Sequence, residues 1–105
     1  MKQPRKITSL STPQLQAHIR AASQDSLNVV FSAHVQKRMR ERKITMPCVL
    51  ATLRNGSIRR RPEPNTNFGT LECRMELYTT GHNIGVVVAL SDDDPAMVVV
   101  TAMHI

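Results

Sequence analysis

The sequence predicts an α+β domain in which two to three N-terminal helices pack on one face of a four-stranded antiparallel β-meander. Apolar residues recur at a helical spacing of three and four through the first half of the chain, and at a spacing of two beyond Gly56. Turn-forming clusters at Pro62-Glu63-Pro64-Asn65, Thr80-Gly81-His82-Asn83 and Ser91-Asp92-Asp93-Asp94-Pro95 divide that second half into segments of strand length. A chain of 105 residues with 41% hydrophobic content builds one domain around a single modest core.

Residues 1–10 read as a flexible N-terminal arm and residues 11–105 as the folded domain. Thr12 is placed to cap the first helix with Pro13 at N1, where a missing N–H costs nothing. Leu15, Ile19 and Ala22, at i, i+4 and i+7, mark its buried face, and it runs to about Ser23. Leu27, Val29, Val30 and Phe31 favour a short extended segment. Ser32 then offers a hydroxyl to the unpaired N–H groups of a second helix over residues 33–43. Val35 and Met39 form its apolar stripe; at 100° per residue His34, Arg38 and Glu41 fall together on the neighbouring face, with Arg42 beside them. In the third helix Thr45 caps, Pro47 lies in the first turn, Met46, Val49, Leu50 and Leu53 keep helical spacing, and Gly56 supplies the C′ residue.

Four strands follow. Residues 57–61 carry Arg59, Arg60 and Arg61, and residues 62–67 must be a loop. From Thr70 to Thr79 the residues alternate, with Leu71, Cys73, Met75 and Leu77 on one side and Glu72, Arg74, Glu76 and Tyr78 on the other. Residues 84–90 are continuously apolar, as a central strand requires, and residues 96–105 form the last strand.

Composition narrows the function classes. Fourteen Lys and Arg against eight Asp and Glu give a net charge of +6, which favours a polyanionic partner. With no Trp, one Tyr and two Phe, the chain has few rings for a stacked-base RNA platform. Cys48 and Cys73 form no Cys-x-x-Cys pair, so neither a zinc site nor a disulfide framework is indicated, and no cofactor is implied. The basic start Met1-Lys2-Gln3-Pro4-Arg5-Lys6 is not followed by the apolar core of a signal peptide. The longest apolar run falls far short of the roughly 18 residues that span a bilayer. A cytoplasmic protein without a membrane partner is expected.

The densest stretch is Phe31-Ser32-Ala33-His34-Val35-Gln36-Lys37-Arg38-Met39-Arg40-Glu41-Arg42-Lys43-Ile44-Thr45. Together with Val49-Leu50, Asn55-Gly56 and the terminal Val98-Val99-Val100-Thr101, its Phe-Ser-x-His-x-x-x-Arg-Met-x-x-Arg-x-Ile-Thr pattern resembles a family of small bacterial proteins classed as a domain of unknown function. The resemblance covers about residues 27–105. That family is in turn similar to the RelE, barnase, EndoU and colicin ribonuclease toxins, which implies a fold of helices followed by four strands and a toxin-like, RNA-cleaving activity.

The residues can support such chemistry. RNA cleavage without a metal needs a base for the 2′-hydroxyl proton, an acid for the 5′-oxygen and cations for the developing phosphorane charge. His34 is the candidate base or acid, because imidazole titrates near neutrality. Arg38 is the candidate phosphate clamp, since a guanidinium binds two phosphate oxygens in one plane. Arg42, Arg59, Arg60 and Arg74 are candidate further cations, Glu72 or Glu76 an alternative base, and Thr101 or Tyr78 a hydroxyl partner; the resemblance to the toxins favours Thr101. The expected partner is RNA, with a cognate antitoxin or another protein as a second partner class. A non-catalytic RNA- or protein-binding module is the alternative function.

Overall fold

Hydroxyl side chains start each of the described α-helices. The computed structural model describes residues 6–93 and 95–105, and of His82 the backbone alone. Helix α1 (Thr12–Ala22) is capped by Ser11, one residue earlier than Thr12. Its hydroxyl accepts from the Gln14 N–H at 3.3 Å while Gln14 Oε1 accepts from the Ser11 N–H at 2.9 Å, a reciprocal capping box. Ser32 caps α2 (Ala33–Glu41) through the Val35 N–H at 3.1 Å, and Thr45 caps α3 (Met46–Asn55) through the Cys48 N–H at 3.3 Å.

Helix α2 stops two residues short of the expected Lys43. The Ile44 N–H donates to the Met39 carbonyl at 2.8 Å and the Lys43 N–H to the Arg40 carbonyl at 3.2 Å, closing a Schellman turn with Lys43 left-handed at φ 57°. Ile44 is buried beyond it, so an apolar contact fixes the stop where a glycine usually would. Gly56 also differs from expectation. Its φ is −76°, outside the left-handed region, and glycine is required there by close approach. An added Cβ would strike the Thr52 carbonyl oxygen and lie 2.8 Å from that of Glu76.

Among the described residues the sheet has six strands, two more than the meander predicted. They are β1 (Val30–Phe31), β2 (Ser57–Ile58), β3 (Glu63–Asn65), β4 (Thr70–Thr79), β5 (His82–Leu90) and β6 (Met97–His104). The order is β1-β6-β5-β4-β2, with β3 also on β4. Strands β4, β5 and β6 are the antiparallel meander the alternation predicts. The expected strand over residues 57–61 shrinks to β2, and the expected loop over 62–67 contains β3, which pairs with residues 70–72 and carries Pro64 on an edge, where a missing N–H is tolerated. Strand β1 adds in parallel to β6, matching Val30 with Val98 and Phe31 with Val99.

All three helices share the core on one sheet face: α3 over β4 and β5, α2 against β6, and α1 against α3 and β2. Leu53, Cys73, Met75, Val86 and Val88 are fully enclosed there, and burial pushes the Cys73 thiol up to about 11. Of the expected arm, residues 1–5 lie outside the described part; Ile7 is buried and its N–H donates to Asp92 Oδ1 at 2.8 Å. The other face of β4, β5 and β6 carries Glu72, Arg74, Glu76, Val87, Ala89, Val98 and Thr101 and lies open.

The left-handed lysine after α2 is a local cost. Lys43→Gly should raise stability by about 0.5–1 kcal/mol, read as a higher urea midpoint at unchanged slope, because glycine adopts this conformation without a Cβ clash. An unchanged or lower midpoint would show that the Lys43 conformation carries no strain.

Candidate functional site

Strand β6 begins in strict alternation: Met97 and Val99 are buried, Val98 is half-buried and Val100 exposed. Continued, that pattern would point Thr101 into the core. The β5–β6 register instead shifts between Val87 and Val88, so that Val88 faces Val99 while Val87 faces Thr101 and Val100 becomes an extra residue. Past this bulge Ala102 is buried, and Thr101 is turned to the open face.

Arg42, which closes α2, reaches this point. Its Nη1 donates to Thr101 Oγ1 at 3.1 Å and to the Ala102 carbonyl at 2.8 Å. The Arg42 carbonyl lies 2.7 Å from His104 Nε2, and because a carbonyl only accepts, Nε2 carries the hydrogen. Arg42 is thus tied to β6 at both its backbone and its side chain. Val35 and Met39, each 4% exposed, seat α2 against the core and turn His34 and Arg38 outward. His34, Val35, Arg38, Arg42, Val100, Thr101 and Ala102 line one cleft of about 310 Å³. His34 is exposed and has no hydrogen-bond partner among the described residues. Arg38 meets Glu41 at 3.8 Å with both side chains about half exposed, a contact worth at most about 1 kcal/mol and easily exchanged for a phosphate.

A second cluster occupies the open face of β4. Glu76 is only 5% exposed there, although the alternation predicts a solvated residue. The Tyr78 hydroxyl donates to its Oε1, Arg74 Nε lies 3.3 Å from its Oε2, and Arg60 Nε lies 3.9 Å away. The Arg59 guanidinium sits 5.1 Å from the centre of the Tyr78 ring. Next to them Arg60, Arg61, Glu63, Glu72, Arg74 and Val87 line a cleft of about 180 Å³.

The candidate residues therefore divide into two groups. His34, Arg38, Arg42 and Thr101 converge at the outer edge of β6, whereas Arg59, Arg60, Arg74 and Tyr78 gather with Glu76 on β4. Sequence reasoning missed two participants: the burial of Glu76, whose signal is Gly85 directly opposite it on β5, and His104 as the anchor of Arg42. A further cleft of about 350 Å³ on the other side of α2 is lined by Gln36, Met39, Arg40, Lys43, Ile44, Thr45 and Met46 and holds none of the candidates. Among the described residues no three His, Cys, Asp or Glu side chains are grouped to hold a metal ion, and no helix is long and apolar enough to cross a membrane.

The profile of a protein family described as Domain of unknown function (DUF4258) matches residues 31–104. The chain belongs to the DUF4258 family. The DUF4258 span runs from the last residue of β1 to the last of β6, takes in both clusters and leaves α1 outside. No curated protein and no solved structure gives a significant match.

The second cluster has a spectroscopic signature. The hydrogen bond to Glu76 raises the Tyr78 pKa above the usual 10.0, with desolvation and the Glu76 charge adding to it and Arg59 and Arg74 opposing. A raised value favours the neutral phenol, so this contact stabilises the fold fully below pH 10 and is lost as pH climbs through the folded-state value. Tyr78 is the sole tyrosine and the chain has no Trp, so ultraviolet phenolate absorbance reads it alone. The titration midpoint should lie above 10, and Glu76→Gln should move it down; a wild-type midpoint at or below 10 would remove the contact from solution.

Proposed function

We propose that this protein is a toxin-like, metal-independent endoribonuclease or RNA-processing protein working at the α2–β6 cleft. The observation that carries the reading is the meeting of an imidazole, two guanidiniums and a hydroxyl in one concavity lined by His34, Arg38, Arg42 and Thr101. In this reading His34 takes the proton of a ribose 2′-hydroxyl as its oxygen attacks the adjacent phosphorus. The bond from phosphorus to the 5′-oxygen breaks, that oxygen is protonated from solvent, and the products are a 2′,3′-cyclic phosphate and a 5′-hydroxyl.

Arg38 and Arg42 balance the charge that gathers on the non-bridging oxygens. Because Thr101 Oγ1 accepts from Arg42, its own hydrogen is free to donate to one of those oxygens. The order of helices followed by the antiparallel β4, β5 and β6 supports kinship with the RelE, barnase, EndoU and colicin ribonuclease group. A cytoplasmic setting, where such RNA is found, belongs to the same reading.

A second reading, a non-catalytic module that binds RNA or a protein such as a cognate antitoxin, is favoured by one observation: no described residue orients the His34 ring. Incubation of purified protein with single-stranded RNA in a chelator separates the two. The enzyme leaves 2′,3′-cyclic phosphate ends, spares RNA whose 2′-hydroxyls are replaced by hydrogen, and loses about a hundredfold or more in rate as folded His34→Ala. Intact RNA bound with a salt-dependent affinity would leave the binding module in its place.

A further inference from the structure

One guanidinium on the open face, that of Arg74, is held without being fully used, next to the exposed Arg60 and Arg61. Arg74 is only 18% exposed, its Nε is buried with no well-aligned hydrogen bond, and among the described residues its ion pair is with Glu76. Its terminal amino groups make no hydrogen bond among the described residues, and the same is true of Arg60, whose Nε alone faces Glu76, and of Arg61. For Arg74, largely enclosed, cationic N–H groups that give up water without a partner are costly unless something else accepts from them, while Arg60 and Arg61 stand exposed beside it. Gly85 makes room for this arrangement: a Cβ there would lie 3.3 Å from Arg74 Nε and 3.5 Å from its Nη2.

The register ties this slot to the α2–β6 cleft. Val87 on β5 pairs with Arg74 on one side and with Thr101 on the other, so Arg74, Val87 and Thr101 form one row across three strands on the open face. Val87 lines the slot and Thr101 lines the cleft. Two strand spacings, about 10 Å, separate the ends of the row, with one apolar side chain between them.

We propose that this row is a binding track for single-stranded RNA, with one phosphate in the cleft at Arg38, Arg42 and Thr101 and a second phosphate of the same strand on Arg60 and Arg74. Resting on the RNA reading of the cleft, the track specifies the substrate as single-stranded. Both phosphate seats are recessed, and only a strand free to swing its bases aside can bend one backbone into both; a duplex holds its phosphates on fixed ridges. In-line attack by a 2′-hydroxyl requires the same freedom. Glu63 and Glu72, paired across β3 and β4, also line the slot and have no ion pair among the described residues, and their charge stops the anionic backbone from running further toward β3. Glu76 is a positioning residue that holds Arg74 and Arg60 toward the slot.

The test is fluorescence anisotropy with a labelled, uncleavable 2′-O-methyl dodecanucleotide across a series of salt concentrations, in wild type and in folded variants. Arg74→Met and Arg60→Ala should each weaken binding about fivefold or more and lower the magnitude of the salt slope by about 0.7, the share of one phosphate contact on a single strand. Val87→Glu, which keeps all four arginines but sets a carboxylate between the two seats and directly across from Arg74, should weaken it at least as much and covers the case in which Arg74→Met unfolds. Arg40→Ala, an equal charge change on the far side of α2, should stay within about twofold of wild type. Binding that falls with Arg38→Ala but is untouched by Arg60→Ala, Arg74→Met and Val87→Glu would overturn the track and leave the proposed function standing. Equal affinity for the annealed duplex would overturn it as well. Failure of the wild type to bind any RNA would instead remove the proposed function, and the track with it.

Discussion

The bulge that sets Val100 outside the β5–β6 register is the constraint on which the candidate site depends. It reverses the facing of the chain halfway along β6. Before it, Met97 and Val99 supply the core; after it, Ala102 does so, and Thr101 is released to the open face. Ala102 offers its carbonyl and Thr101 its hydroxyl to the same Arg42 nitrogen at this point. The end of α2 is fitted to this point. The Schellman turn at Lys43 and Ile44 stops the helix at Glu41, and His104 holds the Arg42 carbonyl in place. One extra residue in a strand thereby fixes an arginine on a helix sixty residues earlier in the chain.

The open face shows how charge is distributed once the helices have claimed the other side. Glu76 is buried where no helix covers it, so arginines and a tyrosine supply the cover, and they also supply the compensation that a buried carboxylate requires. Arg74 serves Glu76 through Nε, and its terminal nitrogens, over Gly85, make no hydrogen bond among the described residues. Arg42 likewise spends Nη1 on β6. In both cases part of the guanidinium anchors it to the sheet while the rest faces a concavity, which lowers the entropy lost when an anion arrives.

Local rules made most of the fold legible. The caps Ser32 and Thr45, the i, i+3, i+4 stripe of α3 and the two-residue period of β4 each depend on neighbours within a few positions and appear where those neighbours place them, while the α1 cap falls on Ser11 and not on Thr12. What depended on distant partners showed less. An extended segment before Ser32 and a strand after Gly56 were legible, but not the short extents of β1 and β2 nor the presence of β3, because strands of two or three residues carry no period and exist where β6 and β4 offer edges. Gly56 looked like a left-handed cap because the approach of the Glu76 carbonyl comes from twenty residues away. Of the candidate residues, His34, Arg38 and Arg42 could be grouped from helical spacing alone. Thr101 could join them only through family resemblance, since alternation with Met97 and Val99 argues for the core. The division of the arginines into two clusters follows from strand order, which no periodicity reveals.

The central claim, that RNA phosphates are received at the bulged edge of β6, is tested most directly by nuclear magnetic resonance titration of isotope-labelled protein with an uncleavable single-stranded RNA. The largest shifts should fall on the His34 ring, the Arg38 and Arg42 side chains and the amides of residues 100–103, and they should collapse together as salt is raised. Shifts confined to the cleft lined by Met39, Ile44 and Met46, or an unmoved His34 and Thr101 at saturating RNA, would contradict it.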